Sequence, residues 1–246
     1  MTSPTHKAPT SFCMFSVITV ARNALPELKA TISSIDAQDF DAMELIVIDG
    51  ASTDGTKEFL ECLSCRHSIV WVSEPDEGIY DAMNKGVNLA HGRYCIFMNA
   101  ADTFVAANVL SRVEATGMAA DVIYGDIIKS GKFKRAQSPH NSHRMYYCHQ
   151  AAFTLRHLLI SYPFDIRHPL SADFKQSKQL YLAQHTFRHI HIAVANFDTH
   201  GISNTKRSAG LKDNISVIIE VDSLLWQLRL LPRLWFTYLF CLMRGK

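Results

Sequence analysis

The stretch Glu44-Leu-Ile-Val-Ile-Asp-Gly-Ala-Ser-Thr-Asp-Gly-Thr56 decides the fold class of this chain. It starts with a short apolar, largely β-branched run, which predicts a buried strand that ends on the carboxylate of Asp49. The residues from Gly50 to Gly55 are rich in helix-capping side chains and lead into a predicted helix that begins at about Thr56. The stretch is therefore one strand–turn–helix unit of an α/β protein.

The same unit repeats on both sides of this stretch. Strands and helices alternate with short connections, which predicts βαβ units and a central, mostly parallel sheet flanked by helices. The predicted elements are a strand over Phe15–Val20, a helix from Pro26 to Ala37, a strand over Ile69–Val72, a helix over Ile79–Ala90 and a strand over Tyr94–Met98.

The second half of the chain is less regular. Residues 122–134 suggest a β hairpin that turns at Ser130-Gly131, Ala172–Gln184 predicts a helix, and Ile190–Val194 predicts a strand. From about Thr205 the chain looks helical to its end. We therefore predict one α/β domain over residues 12–204 and a C-terminal helical segment over residues 205–246.

The composition excludes several classes of protein. A chain of 246 residues that is 48% hydrophobic and 20% charged can bury a full core and is not a disordered protein. The balance of 25 basic against 23 acidic residues argues against a nucleic-acid partner. The six cysteines are scattered and the first residues contain no apolar run, so we expect a reduced, cytoplasmic environment.

Acidic residues follow several of the predicted strands. Asp49 ends the second strand, three acids lie in the loop Ser73-Glu-Pro-Asp-Glu-Gly78, and Asp102 follows the fourth strand. Parallel strands place such residues at one edge of the sheet, where the carboxylates repel one another unless a cation or ligand joins them. Oxygen ligands of this kind suit Mg²⁺ or Mn²⁺ held together with phosphates. Neither a P-loop nor a G-x-G-x-x-G fingerprint is present, which leaves a nucleotide diphosphate ligand as the best fit.

The motifs together resemble a known family. Ser16-Val-Ile-Thr-Val…Asn23 and Val47-Ile-Asp-Gly-Ala-Ser-Thr-Asp-Gly-Thr56 look like the opening of family 2 glycosyltransferases with the GT-A (Rossmann-like) fold. The segment from Ser73 to Gly86 is similar to the branch that builds bacterial exopolysaccharide, capsule or lipopolysaccharide. Later similarities are Phe97-Met-Asn-Ala-Ala-Asp102, His149-Gln150, Phe164-Asp165, Ser171-Ala-Asp-Phe174 and Gly201-Ile-Ser203.

The resemblance implies a role for each matching residue. Asp102 would coordinate a divalent cation, Mn²⁺ or Mg²⁺, and Asp173 would be the general base that takes the proton of the acceptor hydroxyl. His149 and Gln150 are candidates for the acceptor side. The donor-binding residues would be Val20, Ala21, Arg22, Asp49, Asp76, Gly78, Asp81 and Asn99. Asn99 and Ala101 depart from the family's acidic metal motif, which predicts weaker cation binding.

The C-terminal segment carries an unusual mixture of side chains. From Thr205 onward there are seven basic and three acidic residues, and Ser223–Met243 is rich in Leu and Trp. Arg229 and Arg233 near its middle argue against a membrane-spanning helix and favour an amphipathic helix at an anionic membrane surface. The alternative is a helix packed on the core or on a second subunit.

These observations predict an inverting, metal-dependent glycosyltransferase. It would transfer a sugar from a nucleotide diphosphate sugar, with UDP as the expected nucleotide, to a hydroxyl of a lipid-linked glycan. We expect it to lie peripherally on the inner face of the plasma membrane. The alternative is a non-catalytic nucleotide-sugar-binding or scaffolding protein that has kept the same fold.

Overall fold

A computed structural model describes residues 12–197 and 207–243 of the chain. The strands are β1 (Phe15–Ala21), β2 (Met43–Asp49), β3 (Ser68–Ser73), β4 (Tyr94–Phe97), β5 (Thr103–Phe104), β6 (Val122–Lys129), β7 (Lys132–Lys134), β8 (Ala152–Leu155) and β9 (Phe187–Phe197). The α-helices are α1 (Leu25–Asp36), α2 (Thr56–Glu61), α3 (Ile79–Leu89), α4 (Val109–Glu114), α5 (Arg156–Ser161), α6 (Ala172–Leu182), α7 (Arg207–Val221) and α8 (Leu224–Met243). A 3₁₀ turn spans His149–Ala151.

These strands form one mixed sheet in the order β3-β2-β1-β4-β8-β6-β9-β5, with β7 paired to β6. Strands β1 to β4 are mutually parallel, whereas β8 runs antiparallel to both β4 and β6. The predicted parallel sheet flanked by helices is confirmed for the first half of the chain. The second half adds the antiparallel strands, and the predicted hairpin at Ser130-Gly131 joins β6 to β7.

The first strands are buried on both faces, which explains their continuous apolar runs. Alternate residues point to opposite layers: Val17 and Val47 pack with α1 on one face, while Ile18 and Ile48 pack with α3 on the other. Gly86 lets α3 approach the sheet, since a Cβ there would lie 2.4 Å from Ile18 Cγ2. This packing fixes the position of the loops that follow β1 to β4.

The C-terminal segment consists of two helices that begin on the body of the protein. Helix α7 packs against α6 through Phe174 and Ile218, and Leu230 and Leu234 of α8 belong to the same apolar cluster. The two helices are separated at Asp222-Ser223, so the helical stretch predicted to the end of the chain is interrupted. Within the described residues, no helix combines the length and the apolar content needed to cross a membrane. The similarity at Gly201-Ile-Ser203 lies outside the described residues.

Candidate active site

Asp49 lies at the carboxyl end of β2 between the ends of its two neighbouring strands. Its backbone pairs with Ala21 on one side and Ser73 on the other. The side chain is fully buried, and its carboxylate accepts hydrogen bonds from the Ser73 hydroxyl at 2.6 Å, from the Ser52 amide at 3.1 Å and from the Ser52 hydroxyl. Neutral donors therefore fix the orientation of this carboxylate, and no cation from residues 12–197 or 207–243 forms an ion pair with it.

The loop after β1 is tied to the loop after β2. The carbonyls of Val20 and Ala21 accept the amides of Ala100 and Gly50 at 3.1 and 2.9 Å. A Cβ on Gly50 would lie 2.2 Å from Asp76 Oδ2 and 3.3 Å from Arg22 Cδ, so a side chain at this position would displace the Asp76 carboxylate. The structure thus brings the predicted donor residues of three loops together at one edge of the sheet.

The acidic loop after β3 forms the start of α3. The Gly78 amide donates to Asp76 Oδ1 at 3.0 Å, and the Glu77 amide donates to Asp81 Oδ2 at 3.1 Å. Gly78 has a φ of 125°, a conformation that other residues rarely adopt, directly before the helix. Asp81 also forms an ion pair with Lys85 at 3.3 Å, so its charge is partly compensated within the helix.

Asn99 and Asp102 lie in a buried turn after β4. The Thr31 hydroxyl donates to the Asp102 carbonyl at 2.8 Å, and the side-chain amide of Gln150 donates to Asp102 Oδ2 at 3.1 Å. Among the described residues, the buried side-chain oxygen of Asn99 has no hydrogen-bond partner. An orphaned amide oxygen in the same turn as a carboxylate fits a divalent cation, because hard oxygen atoms are the ligands that Mn²⁺ and Mg²⁺ prefer.

Asp173 lies in the first turn of α6 with a side chain that is 19% exposed. The Tyr80 hydroxyl donates to its Oδ1 at 2.8 Å, and His149 Nδ1 lies 3.2 Å from its Oδ2. Burial alone would raise the pKa of Asp173, but the hydrogen bonds and charge of His149 and the Tyr80 hydroxyl together bring this pKa below its ordinary value. The carboxylate is therefore ionised at neutral pH, as a proton acceptor must be.

The 3₁₀ turn connects the two carboxylates. His149 contacts Asp173, and the next residue, Gln150, contacts Asp102. The Cys148 thiol donates to Gln150 Oε1, which directs the amide nitrogen of Gln150 towards Asp102. The residues predicted for the acceptor side thus contact the predicted base and the predicted cation ligand, and the acceptor role stays a prediction.

Three contributors to this arrangement were not predicted from the sequence. Tyr80 lies inside a quoted motif but is 93 positions from Asp173, and no sequence pattern joins them. Ser52 and Ser73 both lie in loops that were interpreted through their acidic residues. Their only signal in the sequence is that serines occur in the loops near Asp49, where a hydroxyl could donate to its carboxylate.

The chain is similar to known proteins in both sequence and structure. Residues 16–170 match the model of a family described as glycosyl transferase family 2. A relative in Mycobacterium bovis (strain BCG / Pasteur 1173P2), a "PGL/p-HBAD biosynthesis glycosyltransferase", is 31% identical over 204 residues, which cover 78% of this chain and 80% of the relative. Bacillus subtilis has a "putative teichuronic acid biosynthesis glycosyltransferase", TuaG, which is 35% identical over 92 residues, or 36% of each protein.

Solved structures share the fold at low sequence identity. Staphylococcus aureus TarS in complex with UDP superposes with a TM-score of 0.64 at 17% identity, over 85% of this chain and 67% of that chain. The Pyrobaculum calidifontis mannosyltransferase PcManGT, in complex with GDP-Man and Mn²⁺, gives 0.65 at 16% identity, over 87% of this chain and 67% of that chain.

The fold is thus that of the GT-A glycosyltransferases, and the class of the protein is a glycosyltransferase. The chain belongs to glycosyl transferase family 2. Both the predicted fold and the predicted family are confirmed.

Proposed function

We propose that the protein is an inverting, cation-dependent glycosyltransferase that uses a nucleotide diphosphate sugar, with UDP as the expected nucleotide. The observation that carries this proposal is the 3₁₀ turn, which holds the predicted cation ligand Asp102 and the predicted base Asp173 through two adjacent residues. The structural neighbours that were solved with UDP, UDP-GlcNAc or GDP-Man support a nucleotide-sugar donor.

On the donor side, the nucleotide would lie against the loops after β1 to β3, near Arg22, Asp49 and Asp76. Asp102 would hold the cation together with Asn99, whose buried side-chain oxygen is without a partner among the described residues. A bound divalent cation would supply charge stabilisation for the departing diphosphate, which leaves without needing a proton.

On the acceptor side, Asp173 would take the proton from the attacking hydroxyl. Direct attack on the anomeric carbon inverts its configuration. Tyr80 and His149 would keep the carboxylate ionised and fix its direction, since each donates to a different oxygen.

We further propose that the acceptor is a lipid-linked glycan used in cell-surface polysaccharide synthesis, and that α8 holds the enzyme on the inner face of the plasma membrane. Leu225 and Phe236 on α8 are 80% and 74% exposed. Arg229 and Arg233 are exposed on the same helix. Exposed apolar side chains beside arginines suit the interface of an anionic bilayer.

Calorimetric titration with UDP, GDP and dTDP, each with and without Mn²⁺, tests the donor site. We expect one nucleotide to bind tightly only when Mn²⁺ is present. In Asp102→Asn, Mn²⁺ should no longer increase the affinity for that nucleotide. Binding followed by no sugar transfer to any glycan or lipid-linked acceptor would favour the non-catalytic nucleotide-sugar-binding or scaffolding protein. A folded protein that binds none of the nucleotides would refute the donor site.

Flotation with vesicles tests the membrane role. We expect the protein to float with vesicles that contain anionic lipid, and Leu225→Asp combined with Phe236→Asp to abolish flotation while nucleotide binding is retained. A parent protein that does not float, but forms a dimer that the same double variant dissociates, would show instead that this face joins two subunits.

A further inference from the structure

We propose that Asp126, His189 and His191 form a Zn²⁺ site at the junction of β6 and β9, separate from Asp102. One ligand atom from each of these side chains lies within 4.8 Å of the other two. His189 and His191 are two positions apart on β9 and therefore point to the same face of the sheet. Asp126 reaches that face from the neighbouring strand β6.

A bulge between the two strands builds this geometry. Tyr124 pairs with His189, but Asp126 pairs with Ala193, so two steps along β6 correspond to four along β9. The extra residues bend β9 and bring the His191 ring to 4.5 Å from the His189 ring, centroid to centroid. Gly125 lets the backbones of β6 and β9 approach closely at the bulge, because a Cβ at this position would lie 2.5 Å from the Ile192 carbonyl oxygen.

The buried carboxylate of Asp126 also favours a bound metal ion. The residue is only 2% exposed, and its carboxylate accepts from the Ala136 amide and from His189 Nε2, both at 2.8 Å. In the described part of the chain, no lysine or arginine forms an ion pair with it. A buried carboxylate that pairs with no lysine or arginine is costly, and a bound metal ion would supply positive charge beside it.

A second cluster of similar composition already contains a cation from the protein itself. Asp165, His168 and Glu220 also lie close together, but Lys175 contacts both carboxylates, at 2.6 and 2.5 Å. The ammonium group already occupies the position of a cation there. This difference favours the β6–β9 cluster as the metal site.

The chemistry of the donors selects the metal. Two imidazoles and one carboxylate suit Zn²⁺, whereas Mn²⁺ and Mg²⁺ prefer oxygen ligands. The Tyr124 ring stacks on His189 with centroids 5.3 Å apart and an interplanar angle of 12°, which holds that imidazole in place. His191 is exposed and provides the route by which an ion enters, with water as a fourth ligand.

The experiment measures Zn²⁺ binding by calorimetry, and Co²⁺ binding by its visible absorption, in the full-length Asp102→Asn protein. That background removes the proposed donor-site cation ligand. We expect one saturable equivalent, tetrahedral Co²⁺ bands that Zn²⁺ displaces, and binding at least about tenfold weaker in His191→Ala. The exposed His157 on α5 provides a matched control, since His157→Ala should bind as the parent does.

The proposal is wrong if the folded parent binds no stoichiometric Zn²⁺. It is also wrong if His191→Ala and Asp126→Asn both bind Zn²⁺ as tightly as the parent. His191 is at the surface, so its variant keeps the test valid even if Asp126→Asn fails to fold. Nucleotide binding to the wild-type protein is measured separately, and neither of its outcomes affects this result.

Discussion

The carboxylates at the sheet edge and the carboxylates around α6 are held in different ways. At the sheet edge, Asp49 is held by serines and Asp76 by a backbone amide, and of the predicted donor carboxylates there only Asp81, in the first turn of α3, pairs with a lysine in the described residues. Around α6, Asp222 at the break between α7 and α8 pairs with the buried Lys178 at 2.8 Å, and Asp165 in the loop before α6 pairs with Lys175 and Arg167.

This difference separates the proposed donor-binding region from a structural one. Hydroxyl and amide donors orient a carboxylate but leave its negative charge uncancelled, so it can still attract a ligand. A lysine or arginine cancels the charge and stabilises one packing arrangement. Asp173 combines features of both regions. It is on α6, but its carboxylate contacts Tyr80 and His149 rather than a lysine or arginine.

We expect the largest effect at Asp173. Asp173→Asn removes the proposed proton acceptor while keeping the shape of the side chain, so the transfer rate should fall by about 10²- to 10⁴-fold. Nucleotide binding should stay close to that of the wild type. Initial rates of nucleotide diphosphate release, measured beside calorimetry, check both, with the exposed Asp41→Asn as the control. Loss of binding and rate together would contradict a base role.

On the structural side, Lys178→Met should destabilise the fold. It leaves the fully buried Asp222 without its cation, which costs about 3–5 kcal/mol. The free energy of unfolding, from urea titration, is the measurement, and Lys132→Met on the exposed strand β7 should change it by less than about 0.5 kcal/mol. Equal effects of the two substitutions would show that the C-terminal helices do not depend on this ion pair.

Tyr80→Phe removes one neutral donor from Asp173 and should lower kcat by roughly tenfold. The ionised form of Asp173 loses a stabilising hydrogen bond, so its pKa rises. Activity is full above that pKa and lost below it, and the acid limb of the pH–rate profile should therefore move to higher pH. Tyr238→Phe on α8 is the control. A tenfold loss with an unmoved acid limb would assign Tyr80 a packing role only.

The smallest effect is expected at Asp165. Arg167, and then Lys175, lower the pKa of this carboxyl, outweighing its burial. The stabilisation is present above the ordinary carboxyl pKa and is lost as the pH falls through the folded-state pKa. Asp165→Asn should cost about 1 kcal/mol at neutral pH and progressively less towards about pH 3. A difference in unfolding free energy that stays constant between those two pH values would contradict this explanation.

The regular part of the fold could be predicted from sequence because its elements have strong local patterns. The strands that end at Ala21 and Asp49 are continuous apolar runs, and the helices that follow them begin near Pro26 and Thr56 as expected. Strand β5 has two residues, and α4 and α5 have six each, which is too short for a period to appear.

The candidate site was predictable only as far as residue types at strand ends allow. Asp49 and Asp102 follow from that rule, whereas the pairing of Tyr80 with Asp173 depends on how α6 packs and has no local pattern. The proposed zinc site could not be predicted from sequence for a related reason. His189 and His191 have strand spacing, and Asp126 joins them only through the sheet, so no local pattern marks the three residues as a set.

The 3₁₀ turn has a consequence for how variants of this protein are interpreted. His149 and Gln150 share a peptide bond, so a shift of one side chain away from its carboxylate strains the contact of the other. Energetic effects of changes at these two positions will therefore not add up. A double-mutant cycle across them would measure the coupling between the proposed cation ligand Asp102 and the proposed base Asp173, rather than two separate contributions.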